Sequence, residues 1–180
     1  MPVRATVQYA FPVDATVSYG RVHPLYPATD IIAHCGDPVV AAADGVVAEV
    51  SRVDRFVKIK PEGPAKGGLF VSIVGDDGVR YYSAHLSAVA SGIQPGTRVR
   101  AGTSIGAVGH TGNANNICHV HFAMSPACAR AGDWWIRRGA VYPWPYLDSW
   151  RRGGQLSPAR AVAAWLSAHG CAYPGAGPRS

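Results

Sequence analysis

The chain has 180 residues, of which 48% are hydrophobic and only 16% charged, and its formal net charge is +6 at pH 7. This composition fits one folded domain with a sizeable core and excludes an intrinsically disordered chain. No apolar run approaches the roughly 20 residues that span a membrane, so membrane insertion is not expected. The 21 glycines and 14 prolines favour short strands and turns over long helices.

The positive charge and the cysteines bear on location and partners. A net charge of +6 predicts attraction to polyanions, but does not choose between nucleic acid, an anionic cell wall and acidic lipid. The first residues lack the apolar centre of a secretory signal, which indicates either an internal protein or one whose signal has been removed. Four cysteines without a C-x-x-C pair argue against a four-cysteine zinc cluster and favour two disulfides in an exported protein: Cys35, Cys118, Cys128 and Cys171.

The first half of the chain predicts short strands. The segment 37–53 has apolar residues on both sides of Asp44-Gly45, a pattern typical of a hairpin or bend between two strands. "RFVKIK" (55–60) alternates with period two, as a strand does, before a polar loop at 61–68. "LFVSIVG", Asp-Asp-Gly and "VRYYSAHL" together predict a hairpin over 69–86, with a strand ending at its histidine.

The second half begins with sharply turning strands and ends in a helix. Residues 92–113 alternate glycines with Val and Ile, which is typical of a compact barrel or sandwich, and "CHVHFAM" (118–124) closes the β region. The remainder, 127–171, is expected to be an irregular appendage packed on the β domain, with one helical turn near 146–150.

The terminal helix is predicted from its capping residues and its apolar spacing. Ser157 is a plausible N-cap and Pro158 suits the first helical position. Gly170 is a natural stop. One apolar face is predicted, formed by Val162, Trp165 and Leu166.

Two histidines of the last predicted strand project to the same face. Residues i and i+2 of a strand share a face, so His119 and His121 point together and Val120 is buried on the other side. The pair can bind one metal, or one imidazole can bind while the other transfers protons. The alternative is a half-buried pair that is hydrogen-bonded to the backbone.

Other residues extend this pair to a candidate metal centre. His23 and Asp30, in a loop before the first strong strand, would complete a zinc set of two imidazoles and one carboxylate, leaving one position for water. His85 is a further candidate for the same pocket, and His34 competes with His23 as a ligand. His110 is predicted to line the rim of the pocket. His169 is predicted to contact carbonyls at the end of the terminal helix.

Five motifs, taken in chain order, resemble those of a known enzyme family. They are "HPLYPATD", "GDPVVAAADGVV", "YYSAHL", "RVRAGTSIGAVGHTGN" and "CHVHF". Over residues 18–126 this order is similar to that of M23 zinc metallopeptidases, the lysostaphin-like or LytM-type peptidoglycan endopeptidases. The tail also resembles the C-terminal extension of actinobacterial members.

The resemblance implies a mainly β fold and three regions of the chain. The expected fold is a compact antiparallel β-sandwich or barrel-like LytM domain, with a C-terminal irregular segment and a short helix. A lead-in occupies residues 1–17 and the peptidase domain residues 18–126. The extension, 127–180, packs on that domain and carries a helix near 158–169.

The resemblance also assigns roles to five residues. It implies one zinc ion bound by His23, Asp30 and His121, with His119 matching the catalytic base and His85 the second catalytic histidine. Many members have three residues between the first histidine and the aspartate, whereas six lie between them here. A loop insertion of this kind can keep both ligands in reach.

The implied chemistry needs no serine or cysteine nucleophile. Zinc lowers the pKa of its bound water towards about 7, and this water attacks the scissile carbonyl. His119 takes the proton and passes it to the leaving amine, while His85 donates a hydrogen bond to the oxygen that becomes negative. Cys118 points to the opposite face of the strand and is expected to be structural.

The implied substrate is a peptide stem or cross-bridge of peptidoglycan. The chain is therefore expected to be extracellular or cell-wall associated, with its signal or anchor absent from this sequence. It is also expected to be monomeric and to have no nucleic-acid partner. Candidates to line a substrate groove are Tyr19, Tyr26, Tyr81 and Tyr82, and candidates to hydrogen-bond the substrate backbone are Asn113 and Asn115. Each is also an ordinary strand or turn residue.

Two other functions are open to a chain of this pattern. A LytM-type domain that has lost metal ligands can act as a non-catalytic wall-binding module that activates another hydrolase, but here all five expected positions are filled. "GTRVRAGTSIGAVG" also resembles lipoyl or biotinyl carriers, which modify a lysine in an exposed hairpin. None of the three lysines, Lys58, Lys60 and Lys66, lies in such a turn.

Four cysteines allow three disulfide pairings. We expect Cys35 to pair with Cys118, because both lie in segments leading to the site. Cys128 is then expected to pair with Cys171 and to tie the terminal helix back to the β domain.

Overall fold

A computed structural model of the chain describes residues 6–128 and 133–171. These residues form nine strands and three α-helices, and every strand pairing among them is antiparallel, which confirms the mainly β prediction. A 3-10 turn, Pro64–Gly67, precedes β5. The elements are β1 Ser18–Tyr19, β2 Thr29–Ile32, β3 Pro38–Val40, β4 Gly45–Ser51, β5 Leu69–Gly75, β6 Val79–Val89, β7 Arg98–Val99, β8 Ser104–Val108, β9 His119–Pro126, α1 Trp134–Arg137, α2 Trp144–Arg151 and α3 Ala159–His169.

The sheet is organised around β6, its longest strand. β6 pairs with β5 on one side and with β9 on the other, β2 follows β9, and β1 is at the edge. The hairpin predicted over 69–86 is confirmed, and its turn ends at Gly78, whose φ of 81° is a left-handed conformation that glycine adopts without strain. The two strands that flank the site, β6 and β9, are thus direct neighbours.

β6 changes its pairing partner at His85. It pairs with β9 as far as Ala84, which lies opposite His121, and with β8 from Leu86 onward. His85 has a φ of 65°, a left-handed conformation that is uncommon for residues with a Cβ. The prediction that the strand ends at His85 is therefore wrong, because the strand is kinked there and continues to Val89.

Asp44-Gly45 forms a bend between strands that do not pair with each other. β3 pairs with β8, whereas β4 pairs with β5 and β7. The Asp44 carboxylate holds the bend because it accepts hydrogen bonds from the backbone N–H groups of Gln8 and Ala101, at 3.2 and 2.9 Å.

Residues 55–60 are not a strand, contrary to their period-two pattern. They form an irregular segment in which the N–H of Lys60 donates to the carbonyl of Val57, and Ile59 is 94% exposed. A strand is stabilised by hydrogen bonds to a neighbouring strand and by packing of its side chains. Residues 55–60 have no neighbouring strand within the described part of the chain, so the alternating pattern alone does not make them a strand.

The terminal segment packs on the sheet and shares its core. Leu147, Trp150 and Val162 are buried in the same cluster as Ile31 and Phe122 of the central strands. The described helices α2 and α3 are thus in contact with the sheet. The domain boundaries predicted before residue 18 and after residue 126 stay predictions.

The predicted terminal helix is confirmed as α3, with its start one residue later than expected. Pro158 occupies the N-cap position, and the Ser157 hydroxyl accepts a hydrogen bond from the N–H of Ala159 at 3.3 Å. Gly170 ends the helix with a φ of 66°. Ser157 and Pro158 thus each lie one position earlier relative to the helix than predicted, whereas Gly170 ends the helix as predicted.

The apolar face of α3 is narrower than predicted. Of the other two helices, α2 is longer than predicted and α1 was not predicted. Val162 is buried, but Leu166 is 39% exposed. The single turn predicted near 146–150 belongs to the eight-residue α2, and α1 was not predicted. Within the described residues, no helix combines the length and the hydrophobicity of a membrane span.

Both predicted disulfides are confirmed. Cys35 pairs with Cys118 and Cys128 with Cys171. The first bridge joins the segment after β2 to the residue before β9, so it links the two strands that carry Asp30 and the His-x-His pair. The second bridge anchors the end of α3.

Replacing both Cys35 and Cys118 with serine is expected to lower the free energy of unfolding by about 4 to 5 kcal/mol, because the bridge closes a long loop in the unfolded chain. Its cysteines are 83 residues apart, against 43 for the second bridge. Chemical denaturation of oxidised wild type and double variant measures the difference. The corresponding Cys128 and Cys171 double variant is the control and should lose slightly less. A first bridge that contributes nothing would contradict the loop-entropy argument.

Candidate metal and hydrolytic site

Three predicted ligands meet where β2 pairs with β9. The register places Asp30 directly opposite His121, and the loop before β2 folds back so that His23 lies against both. Asp30 Oδ1 is 3.0 Å from His121 Nδ1, and Asp30 Oδ2 is 3.7 Å from His23 Nε2. One donor atom of each residue thus lies within 4.8 Å of the other two. The six-residue spacing between His23 and Asp30 does not keep them apart.

These distances fit a tetrahedral metal site. Ligand atoms about 2.0 to 2.2 Å from a zinc ion are separated from one another by about 3.3 Å. The 3.0 Å separation involves Asp30 Oδ1 and the 3.7 Å separation involves Asp30 Oδ2, and both are close to that value. Two imidazoles and one carboxylate are also a donor set that zinc accepts with one position left open. His23, Asp30 and His121 are therefore a candidate zinc site.

The orientation of His121 leaves a lone pair facing the Asp30 carboxylate. Its Nε2 is 2.8 Å from the backbone carbonyl oxygen of Arg138, which can only accept, so Nε2 carries the proton. In the neutral ring, Nδ1 is then an acceptor, and it faces another acceptor, Asp30 Oδ1, at 3.0 Å. Two acceptors at this distance require a cation between them, either a proton or a metal ion.

The electrostatics of His23 and Asp30 favour the forms that bind a metal. Burial lowers the pKa of His23, and the neighbouring His121 lowers it further, which keeps the imidazole neutral. Burial alone would raise the pKa of Asp30, but the hydrogen bond with His121 and the charges of His121, His119 and His23 together outweigh it, so the pKa is lowered. A neutral imidazole and an ionised carboxylate are the states that metal binding requires.

His119 and His85 lie next to this group with their ring orientations fixed by carbonyls. His119 Nδ1 donates to the carbonyl of Ile117 at 2.7 Å, and His85 Nδ1 donates to that of Thr111 at 2.8 Å. The two ring centroids are 4.8 Å apart, and His119 Nε2 is 3.9 Å from Asp30 Oδ1. Burial and the two neighbouring histidines lower the pKa of His85 to about 3. In both rings Nδ1 is thus engaged by a carbonyl, and Nε2 is the nitrogen that can exchange a proton or a hydrogen bond with a substrate.

A cavity of about 140 Å³ opens beside the histidines. His85 and His121 form one side, and Tyr82 lies among the lining residues. Tyr26 packs at 4.5 Å from the His23 ring and 5.8 Å from the His121 ring. The cavity is therefore continuous with the candidate metal site.

The remaining predicted histidines lie outside this group. The His34 side chain is 91% exposed beside Asp37, so its candidacy as a ligand is wrong for this structure. His110 is exposed in its glycine-rich turn. His169 contacts a helix carbonyl as predicted, that of Trp165, at 2.9 Å.

The predicted groove residues divide into two sets. Tyr26, Tyr82 and Asn113 line the cavity. Tyr81 is buried in the core, with its hydroxyl donating to Asp77, and Tyr19 donates to Asp148. Asn115 is an exposed turn residue with a φ of 53°.

The sequence did not reveal the groups that orient the histidine rings. It also did not reveal much of the cavity wall. The carbonyls of Thr111, Ile117 and Arg138 fix three imidazoles, and backbone carbonyls leave no signal in a sequence. Lys66 and Trp134, which also line the cavity, were not predicted as site residues. The tryptophan- and arginine-rich segment after residue 132 was visible, but nothing local connected it to the histidines.

Comparisons with known proteins identify the family of the chain. Residues 25–131, more than half of the chain, match the model of peptidase family M23. A search of curated proteins found no match.

Solved structures share the fold at low sequence identity. A protein from Pseudomonas aeruginosa assigned to peptidase M23 is 23% identical with a TM-score of 0.57, over 81% of this chain and 52% of the other. The catalytic domain of lysostaphin, an antimicrobial peptidase from Staphylococcus simulans, is 24% identical with a TM-score of 0.53, over 81% of this chain and 91% of the other. A zinc-containing peptidase from Vibrio cholerae is 20% identical with a TM-score of 0.52, over 74% and 38%. The chain thus spans about half of the first protein, and nearly all of the lysostaphin domain.

Proposed function

Because the chain belongs to peptidase family M23, we propose that it is a zinc-dependent endopeptidase that hydrolyses peptide bonds in bacterial cell-wall peptidoglycan. The observation that carries the proposal is the convergence of His23, Asp30 and His121 on one point, beside two further oriented histidines. The similarity in fold to a zinc-containing peptidase and to lysostaphin supports it.

We propose that His23, Asp30 and His121 hold the zinc ion. When bound, zinc would supply a Lewis acid that makes water more acidic and polarises a carbonyl group. The hydrogen bond from His121 Nε2 to the Arg138 carbonyl fixes the ring so that Nδ1 faces the metal position. Such a partner orients a ligand and raises its basicity.

His119 is proposed as the general base. Its Nδ1–H is held by the Ile117 carbonyl, so in the neutral ring Nε2 is an acceptor, and this atom lies beside the three ligands without being one of them. Nε2 can accept the proton of the attacking water and donate it to the leaving amine.

The geometry refines the assisting role expected of His85. Its Nδ1–H donates to the Thr111 carbonyl, so Nε2 of the neutral ring accepts a hydrogen bond and does not donate one. We propose that His85 assists by accepting a hydrogen bond at Nε2 from water or substrate, which orients that group beside the zinc ligands.

The location and surface charge are consistent with a wall substrate. Two disulfides favour an oxidising compartment, so we propose an extracellular or cell-wall-associated protein. A net charge of +6 favours contact with an anionic wall. We propose that the protein acts as a monomer. The likeness of the tail to actinobacterial members stays a prediction.

Purified wild-type protein is expected to contain close to one zinc ion per chain and to digest purified cell wall. Removal of the metal by a chelator should abolish digestion, and added zinc should restore it, because no other nucleophile-generating group is proposed. Metal analysis and release of soluble wall fragments measure the two properties. A protein that binds wall without zinc and without digesting it would contradict the proposal and favour the non-catalytic activator.

A further inference from the structure

The cavity beside the histidines contains two cations that the proposed mechanism does not use. Lys66 and Arg138 line it together with Tyr26 and Trp134. Resting on the proposed function, we infer that this cavity is a subsite for a carboxylate-bearing residue of the substrate. The enzyme would therefore select peptides with a free acidic group next to the scissile bond over uncharged peptides such as glycine bridges.

Arg138 is held in place by aromatic rings and not by an acid. Its guanidinium carbon lies 4.2 Å from the centre of the Tyr26 ring and 5.2 Å from that of Trp134. Its Nε is buried with no hydrogen-bond partner among the described residues. The two aromatic contacts restrain the guanidinium group and leave its charge for an anion to pair with.

Among the described residues, the charges of Lys66 and Arg138 have no carboxylate partner, unlike that of the neighbouring arginine. Arg137 forms an ion pair with Glu49. In the described part of the chain neither Lys66 nor Arg138 forms an ion pair with a carboxylate, and the Lys66 ammonium instead lies 5.5 Å from the centre of the Trp134 ring. Two half-buried cations without an anion favour a ligand that supplies one.

The wall of the cavity is built by close backbone approach. Gly139 has a φ of 144°, and a Cβ there would lie 1.8 Å from the carbonyl oxygen of Pro27. A Cβ on Gly63 would lie 2.7 Å from the Trp134 ring. Gly139 lets the segment with Arg138 approach the loop that carries Tyr26, and Gly63 lets Trp134 approach the loop that carries Lys66. Trp134 and Arg138 lie beyond residues 25–131, so the subsite uses a part of the chain outside the family match.

The test compares a cell-wall stem peptide that has free side carboxylates with the same peptide after amidation. Zinc-loaded wild type is expected to cleave the free form with a kcat/KM higher by roughly tenfold or more, the effect of one charge-assisted hydrogen bond. Arg138→Gln and Lys66→Gln should each reduce this ratio, and Arg138→Lys should retain part of it. Arg100→Gln, on the exposed turn after β7, removes the same charge outside the cavity and should leave the ratio unchanged.

Binding of both peptides to zinc-loaded wild type and His119→Ala, measured by calorimetry, separates this inference from the proposed function. Equal cleavage of the two peptides would overturn the subsite and leave the hydrolase intact. An equal loss of the ratio in Arg100→Gln would assign it to general attraction and also overturn the subsite. If neither peptide is cleaved, the proposed function fails, and binding decides: tighter binding of the free carboxylate form supports the subsite, and equal binding overturns it.

Discussion

Replacing His119 with alanine is expected to abolish wall digestion while leaving zinc bound. Its Nε2 lies 3.9 Å from Asp30 Oδ1, next to the three proposed ligands, so the ring can transfer protons without holding the metal. Loss of a general base typically costs about 100- to 10,000-fold in rate. The cavity side of the site is formed by other residues, so substrate affinity should change far less than kcat. Initial rates of wall digestion and the zinc content of the same preparation measure both effects.

A matched control for this variant is His110→Ala. His110 is an exposed histidine in the glycine-rich turn before β9, and its loss should change neither the rate nor the zinc content. Loss of zinc from His119→Ala would mean that the roles of His119 and His121 have been exchanged. Digestion at the wild-type rate would remove His119 from the mechanism altogether.

The parts of the fold that could be predicted depend on local pattern. Two apolar runs around Asp-Asp-Gly predict β5 and β6 because a short turn and its flanking strands are encoded within a few residues. The shared face of His119 and His121 follows from the two-residue period of a strand, and Val120 is fully buried on the other face. The ligand set required more than pattern, since the pairing of β2 with β9 is a contact across some 90 residues. The prediction that Asp30 and His121 share a metal ion came from the order of the family's motifs.

The parts that could not be predicted depend on which segments become neighbours. His85 is at a kink because β6 exchanges β9 for β8 there, and no residue near it signals that exchange. Residues 55–60 alternate like a strand but have no partner strand. Three imidazoles are oriented by carbonyl groups, which every residue carries. Arg138 is the clearest example, since its carbonyl orients His121 while its side chain reaches the cavity, and it lies in a segment that appeared irregular.

Removing one proposed ligand is expected to have the opposite outcome to removing His119. His121→Ala and Asp30→Asn should both lower zinc affinity by more than about 100-fold, because loss of a second-shell partner alone costs 10- to 100-fold. Digestion should be lost with the metal and should recover in part at high zinc concentration. Competition with a chromogenic chelator measures the affinity. Thermal unfolding with and without zinc gives a second measurement, because a metal that binds only the folded state raises Tm in wild type and not in the variants.

The Asp30 variant is the sharper of the two tests. Asp30 follows His23 at a longer spacing than in many family members, and its Oδ1 also contacts His121 Nδ1 at 3.0 Å. Asp30→Asn retains the size and one acceptor oxygen but removes the charge, so it separates metal binding from positioning. His34→Ala is the control, because His34 is exposed beside Asp37 and is not in the ligand group. If Asp30→Asn binds zinc as tightly as wild type while His121→Ala does not, Asp30 only positions His121. A different group must then complete the metal site.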